Sequence, residues 1–149
     1  MRLSDIVKFK PSQWLTIGEK TITRIILDTG KGIGQNGRKF PSYSKNYAEL
    51  KAAGKAGDKG VGTDRQISPP NLRLSGEMLG SIHAGSPTKE SVKIFFGQGG
   101  KVERNKKHGR DILGISDKNL SLASKDILAI INRKANRWAA KDINLVVGR

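Results

Sequence analysis

Apolar side chains recur every three or four residues in two long stretches, one near each end of the chain. The first opens at Pro11, whose missing N–H is not needed in a first helical turn, and Gly30 is well placed to end it. The second opens at Ser116 and Asp117 and continues towards Trp138. We therefore predict amphipathic helices over residues 11–29 and from residue 116 onwards, each with one face to bury. The recurring residues are Trp14, Ile17, Thr21, Ile22, Ile25 and Ile26, then Leu120, Ala123, Ile127, Ile130, Ile131 and Lys134.

Glycine and proline break the middle of the chain into short elements. Residues 30–42 and 54–70 are rich in glycine or proline, and both stretches are predicted to be long flexible loops. Ser44 is a suitable N-cap for a short helix that Gly54 ends. Ser75 is a suitable cap for a second short helix. Its apolar face comprises Leu74, Met78, Leu79 and Ile82.

Strand signals are confined to the part of the chain after residue 90. Residues 91–97 alternate in the two-residue period of a half-buried strand, and the Gln98-Gly99-Gly100 step predicts a turn into a second strand over residues 101–104. Residues 143–147 are rich in β-branched side chains, which favour strands, so we predict an added strand there. We predict one α+β domain over residues 1–149, with a small, mainly antiparallel sheet packed against several helices, the last of which covers the sheet, and with long glycine-rich loops.

The charge balance restricts the partners. The chain has 149 residues, 28 Lys and Arg against 13 Asp and Glu, and a formal net charge of +15. This charge favours phosphate groups or acidic protein surfaces. The absence of cysteine excludes disulfides and thiolate metal sites. No uncharged apolar run approaches the length of a membrane span.

Motifs for catalysis and cofactor binding are weak. Residues 32–37 match G-x-G-x-x-G, with Asp58 at a suitable distance for a ribose contact. Dinucleotide binding needs a strand before the glycines and a helix after them, whereas here a predicted helix precedes them and Phe40-Pro41 follows. Two histidines, His83 and His108, cannot form an ordinary structural zinc site without cysteine. We predict no enzyme activity, no cofactor, no metal and no catalytic residue.

The densest basic stretch lies between residues 101 and 110. Its side chains are candidates for contact with DNA or with an acidic partner. The alternative is a solvated hairpin edge whose lysines prevent strand aggregation, since no aromatic stacking platform is interleaved with the charges. The candidate residues are Lys101, Arg104, Lys106, Lys107 and Arg110, with His108 among them.

Three blocks of sequence resemble, in the same order, the spaced motifs of one protein family. Residues 40–51 (FPSYSKNYAELK) are similar to an F-x-x-Y-s-x-x-Y-A-x-x-K stretch of that family. Residues 72–82 (LRLSGEMLGSI) are similar to its L-x-x-[ST]-G-x-[ML]-x-x-S-[IL] helix start. Residues 108–116 (HGRDILGIS) are similar to its H-x-G…R-x-[FIL]-L-G-[IL]-[ST] element. The chain therefore resembles the tail-completion or virion-morphogenesis proteins of tailed bacteriophages.

The resemblance implies a structural virion protein of the phage neck, assembled in the host cytoplasm. Such a protein forms a ring, expected to be hexameric, that completes the tail and joins it to the head around the DNA passage. Its neighbours would be the tail tube or tail terminator protein and the head-tail connector or adaptor proteins. It has no membrane partner and makes at most sequence-independent contact with genomic DNA. On this hypothesis the first glycine loop contacts adjacent subunits or rings through Gly30, Lys31, Gly32, Gly34, Gly37 and Arg38.

Two other functions compete with this one. A sequence-tolerant basic nucleic-acid-binding protein would explain the net charge of +15 directly, but would leave the three ordered blocks as coincidence. A nuclease or nucleotide-using enzyme would need a metal or phosphate site that the sequence does not offer.

Overall fold

Five helices and one two-stranded antiparallel sheet make up the described part of the chain, so the predicted α+β class is confirmed. The computed structural model describes residues 6–56, 64–73 and 75–146, with side chains up to residue 140. The predicted helix residue Leu74 and residues 57–63 of the loop predicted at 54–70 lie outside these residues. The elements are α1 (Pro11–Gly30), α2 (Lys45–Ala52), α3 (Glu77–Gly80), β1 (Ile82–Gly85), β2 (Lys93–Phe96), α4 (Gly99–Lys107) and α5 (Asp117–Val146).

The two long helices form as predicted and pack against each other in antiparallel directions. Asn119, near the start of α5, donates a hydrogen bond to Asp28 at the end of α1. Lys134, much further along α5, lies over the ring of Phe9, just before α1 begins. The prediction that the last helix covers the sheet is wrong, because the apolar stripe of α5 is used against α1. The buried residues of this contact are Phe9, Ile17, Ala123 and Ile130.

The opposite side of α1 carries the sheet. A Cβ added at Gly18 would lie 2.9 Å from the Cβ of Ala84 in β1, so glycine allows the helix to approach the hairpin closely. Helix α1 is therefore covered by β1 and β2 on one side and by α5 on the other.

The predicted strand at residues 91–97 is present as β2, but its partner differs from the prediction. Ile82 pairs with Phe96, and Gly85 pairs with Lys93. Residues 101–104, predicted as the second strand, lie within α4. Gly99 and Gly100 begin that helix, which buries Val102 in the core. The hairpin connection is the loop over residues 86–92.

Two further boundaries differ from the sequence prediction. The helix predicted to contain Ile82 is the single turn α3, because Ile82 already belongs to β1. Gly76, at a φ of 85°, directly precedes α3, while the hydroxyl of Ser75 accepts the N–H of Glu77. The strand predicted at residues 143–147 is wrong for residues 143–146, which continue α5; Val147 lies outside the described residues.

Candidate functional site

Tyr43 lies where three segments that are distant in sequence meet. Its hydroxyl accepts the backbone N–H of Leu72 at 3.1 Å. The Arg110 guanidinium lies over the ring, 4.8 Å from the centroid. Arg110 also donates from Nε to the carbonyl of Pro41 at 3.1 Å and from Nη2 to the carbonyl of Ser42 at 2.6 Å. The segments around residues 43, 72 and 110 are thereby fixed to one another.

A buried lysine completes this arrangement. Lys51, on α2, has no exposed surface, and its ammonium donates to Oδ1 of Asn71 at 2.8 Å. It lies 3.7 Å from a carboxylate oxygen of Asp64 and 5.0 Å from the centroid of the Tyr43 ring. Burial lowers the pKa of Lys51, and the Asp64 carboxylate opposes that effect. We call Tyr43, Lys51, Asn71, Leu72 and Arg110 the junction.

Local sequence explains why these residues converge. Ser44 caps α2 by accepting the N–H of Tyr47, and this turn brings Tyr47 to a ring distance of 5.0 Å from Tyr43. Beneath the junction, Phe40, Leu72 and Ile112 belong to one buried apolar cluster. Burial also raises the pKa of the Tyr43 hydroxyl above its usual value.

The first glycine loop has a packed base and an exposed tip. A Cβ on Gly32, whose φ is 74°, would lie 2.7 Å from Pro69, and one on Gly34 would lie 2.9 Å from the carbonyl of Asp111. The N–H of Gln35 donates to that same carbonyl at 2.9 Å. The loop predicted to be flexible is thus held at its base by backbone hydrogen bonds. Of the six predicted contact residues, Gly32 and Gly34 are buried, Gly30 is half-buried, and Lys31, Gly37 and Arg38 are exposed.

Five of the six backbone amides of the dinucleotide motif in this loop are already hydrogen-bonded within the chain. The backbone N–H groups of residues 32, 33, 34, 35 and 37 all donate to carbonyls of the chain. A pyrophosphate site needs such groups directed at the ligand. These five amides are therefore directed at carbonyls of the chain and not at a ligand.

The predicted basic residues fall into three groups: two in ion pairs, one buried in the junction, and two exposed without an ion pair among the described residues. Lys101 pairs with Glu77 at 3.0 Å, and Lys106 lies 3.8 Å from Asp111. Arg110 is only 8% exposed and belongs to the junction. Arg104 and Lys107, like His108, are exposed and have no ion pair with any residue that the structure describes.

Asp111 joins the glycine loop to the end of α4. Its carbonyl accepts the Gln35 N–H, while its carboxylate lies 3.4 Å from the Gln35 side-chain amide and 3.8 Å from Lys106. The two sets of residues that the sequence analysis selected separately, in the loop and in the basic stretch, are therefore neighbours. We call five exposed basic side chains from these two segments the basic face: Arg38, Lys39, Arg104, Lys106 and Lys107.

Groups suited to metal binding do not come together in the part of the chain that the structure describes. No three His, Asp or Glu side chains there are arranged to hold a metal ion. A small pocket beside α1 contains Asp28, but its carboxylate already accepts from Lys118 at 3.3 Å and Asn119 at 3.0 Å. Among the described helices, none combines the length and apolar character of a membrane span.

Comparisons of the chain with family models, with curated proteins and with solved structures give no match. Reasoning from charge and periodicity alone did not select Tyr43, Lys51 or Asn71 as site residues. The signal for Tyr43 and Lys51 was present in the block at residues 40–51, where both occupy defined positions of the family pattern. Asn71 lies outside all three blocks and carries no such signal.

Proposed function

We propose that this protein is a structural component of the neck of a tailed bacteriophage, which completes the tail and joins it to the head as an oligomeric ring around the DNA passage. One observation carries the proposal: four pattern positions drawn from the three family-like blocks meet at Tyr43 in the junction. They are Tyr43 itself, Lys51, Leu72 and Arg110.

Each of the three blocks contributes at least one pattern position to these contacts. In the first block the pattern positions include Tyr43, whose hydroxyl accepts a hydrogen bond from Leu72, the first pattern position of the second block. The arginine of the third pattern is Arg110, which bonds to the backbone of the first block. The lysine that ends the first pattern is the fully buried Lys51. Chance similarity in three separate segments gives no reason for their marked positions to meet, whereas a shared fold does.

Assembly is the physical role that fits the remaining features. The glycine loop presents an exposed tip on an anchored base, which suits a contact with an adjacent subunit or ring. In a ring, one heterologous interface repeats until it closes. The neighbours in the stack would be the tail tube or terminator on one side and the head-tail connector on the other.

Deletion of the gene from the phage genome that encodes it, with complementation from a plasmid, tests this proposal. Negative-stain electron microscopy of uncomplemented lysates is expected to show full heads beside unattached tails, and wild-type complementation is expected to restore joined particles. Tails of abnormal length would move the protein to the terminator position. Intact infectious particles without the gene would reject a structural role in the neck.

The glycine-loop tip offers a sharper second test. Substitution of Arg38 by Glu and of Asn36 by Lys changes exposed tip residues and leaves the packed Gly32 and Gly34 in place. We expect a folded protein that complements poorly. Arg133→Glu together with Asn132→Lys, at exposed positions on α5, provides a charge-matched control. Equal complementation by both variants would remove the loop tip from the assembly interface.

A further inference from the structure

We infer that the basic face binds the phosphate backbone of duplex DNA without reading its sequence. The inference rests on the proposed function, because the genome that passes through the neck is the polyanion that the face would contact.

The helical geometry of α4 separates its basic side chains from the core. Val102 is 1% exposed and fixes the inward direction of the helix. At 3.6 residues per turn, positions two and five residues further on point away from the core. These positions are Arg104 and Lys107, both exposed. Their spacing along the helix axis is about 4.5 Å, close to the scale of successive phosphates on one DNA strand.

The glycine loop extends this basic surface beyond α4. Asp111 accepts hydrogen bonds from the backbone and side chain of Gln35, which holds the loop beside the segment that follows α4. A Cβ on Gly109 would lie 3.3 Å from the Pro41 ring, so the loop exit also packs there. Arg38 and Lys39 thereby stand on an anchored support near the end of α4. Because the loop backbone is already held, a rigid ligand that binds here has to order only the basic side chains and not the loop itself.

Four of the five charges on this surface, those of Arg38, Lys39, Arg104 and Lys107, have no ion pair with any residue that the structure describes. Lys106 engages Asp111, and Glu103 is the one acidic residue of α4. Basic side chains three residues apart on a helix repel each other at a cost of a few tenths of a kcal/mol. The helix C-terminus offsets part of this cost, since its dipole favours cations. A bound polyanion would offset the remaining repulsion between these side chains, because each of them would be attracted to a phosphate. Counterions would be released for each phosphate neutralised.

Nucleic acid fits this face better than an acidic protein does. Protein interfaces generally contain large apolar or aromatic anchors at their centre. The exposed large apolar side chains of the described residues lie outside α4 and outside residues 31–39. The amides at the loop tip are also engaged, since Asn36 accepts the N–H of Arg38 and Gln35 reaches Asp111. Lysine and arginine then remain for phosphate contact, which carries no sequence information.

Two variants of equal charge test the inference. The face variant R38Q/K39Q/R104Q/K107Q removes four exposed cations that have no ion pair among the described residues, and it keeps Lys106 on Asp111. The control variant K89Q/K125Q/R133Q/R137Q also replaces two lysines and two arginines at exposed positions, in the β1–β2 loop and on α5. Both lower the formal net charge of +15 by the same amount. Glutamine has a helix propensity similar to that of lysine and arginine, so both variants should fold.

Fluorescence anisotropy with a labelled duplex of random sequence, from low to physiological salt, supplies the measurement. Each lost phosphate contact reduces the slope of log affinity against log salt by about 0.9. The face variant is therefore expected to have a slope shallower by about 3.6 and an affinity at least about tenfold weaker near 0.1 M salt. The control should stay close to wild type. Equal losses in the two variants would show that overall charge alone attracts DNA and would overturn the inference.

The same variants separate this inference from the proposed function. A face variant that joins heads to tails normally but has lost DNA binding supports the DNA-binding face and shows that joining does not require it. A face variant with wild-type DNA affinity overturns the inference, whatever the result of the gene deletion. Polyglutamate that displaces the duplex at equal charge concentration would identify a general anion surface and would also overturn the assignment to DNA.

Discussion

Arg110→Ala is expected to destabilise the fold strongly, although this residue stands in a basic run that resembles a solvated surface. The substitution removes hydrogen bonds to the carbonyls of Pro41 and Ser42 and the contact with the Tyr43 ring. Hydrogen bonds that involve a charged group contribute about 1.5–3 kcal/mol each, and a cation–π contact adds about 0.5–2 kcal/mol. Because Pro41 and Ser42 are exposed, water can replace part of what is lost. We therefore expect the free energy of unfolding to fall by about 2–4 kcal/mol.

Urea denaturation followed by circular dichroism measures this change in the free energy of unfolding. Two further substitutions serve as controls. Arg104→Ala removes an exposed, unpaired arginine from the same basic stretch and should change the free energy of unfolding by less than about 0.5 kcal/mol. Arg110→Lys keeps the charge but cannot bond both carbonyls with a planar fork, so it should give an intermediate loss. If Arg110→Ala is no more destabilising than Arg104→Ala, the junction does not hold the three segments together.

Two other substitutions test the support of the site and the packing of the long helices. Gly32→Ala places a Cβ 2.7 Å from Pro69 at a φ of 74°, so calorimetry should show a loss of about 1–3 kcal/mol, whereas Gly99→Ala, with open space around it, should be neutral or slightly stabilising. Asp126→Asn should destabilise the protein by about 1–2 kcal/mol at neutral pH, because Asp126 accepts from Arg24 at 2.8 Å. Burial raises the pKa of Asp126, but hydrogen bonds from its basic partners outweigh that effect and hold the pKa below its usual 3.8. The advantage of wild type over this variant should therefore be complete above the unfolded pKa and disappear as the pH falls through the depressed folded value; a constant difference in acid would refute the ion pair as its source.

The long helices were predictable because their signal is repeated many times within one segment. Each turn of α1 and α5 places another apolar residue on the same face, and Pro11 and Asp117 mark their starts. The strand predicted at residues 143–147 failed for residues 143–146 for a related reason. Extending an existing helix adds one hydrogen bond for each residue fixed, which outweighs the small helix penalty of β-branched residues.

The strand partner was not predictable from local sequence. Gly99-Gly100 is compatible with a turn, so the local sequence predicts a second strand over residues 101–104. In the folded chain Val102 fills the core from a helix, and β2 pairs instead with Ile82 and its neighbours. Ile82 in turn lies three residues after Leu79, a spacing that also fits a helix. Tertiary packing decides whether the segments at residues 82–85 and 101–104 form a strand or a helix. The sequence of such a short segment does not contain that information by itself.

The sequence indicates which segments form the candidate site, but it does not indicate which of their charged side chains are buried and which are exposed. The basic stretch and the glycine loop were both identified, yet nothing in the sequence shows that Asp111 joins them or that Lys51 and Arg110 face inwards. A buried cation needs partners from elsewhere in the chain, and these partners are close only after folding.

The distinction between inward and outward charges decides how the net charge of +15 should be interpreted. Lys51 and Arg110 stabilise the interior, so they add little to the field that attracts a partner, although they count fully in the composition. A variant at either position that lost DNA binding would be uninformative, since it would also loosen the support of the loop and of α4. Arg104 and Lys107 have no structural partner among the described residues, and their removal should leave the fold intact. Loss of DNA binding in a fully folded protein with these two residues replaced would therefore be assigned to the basic face itself.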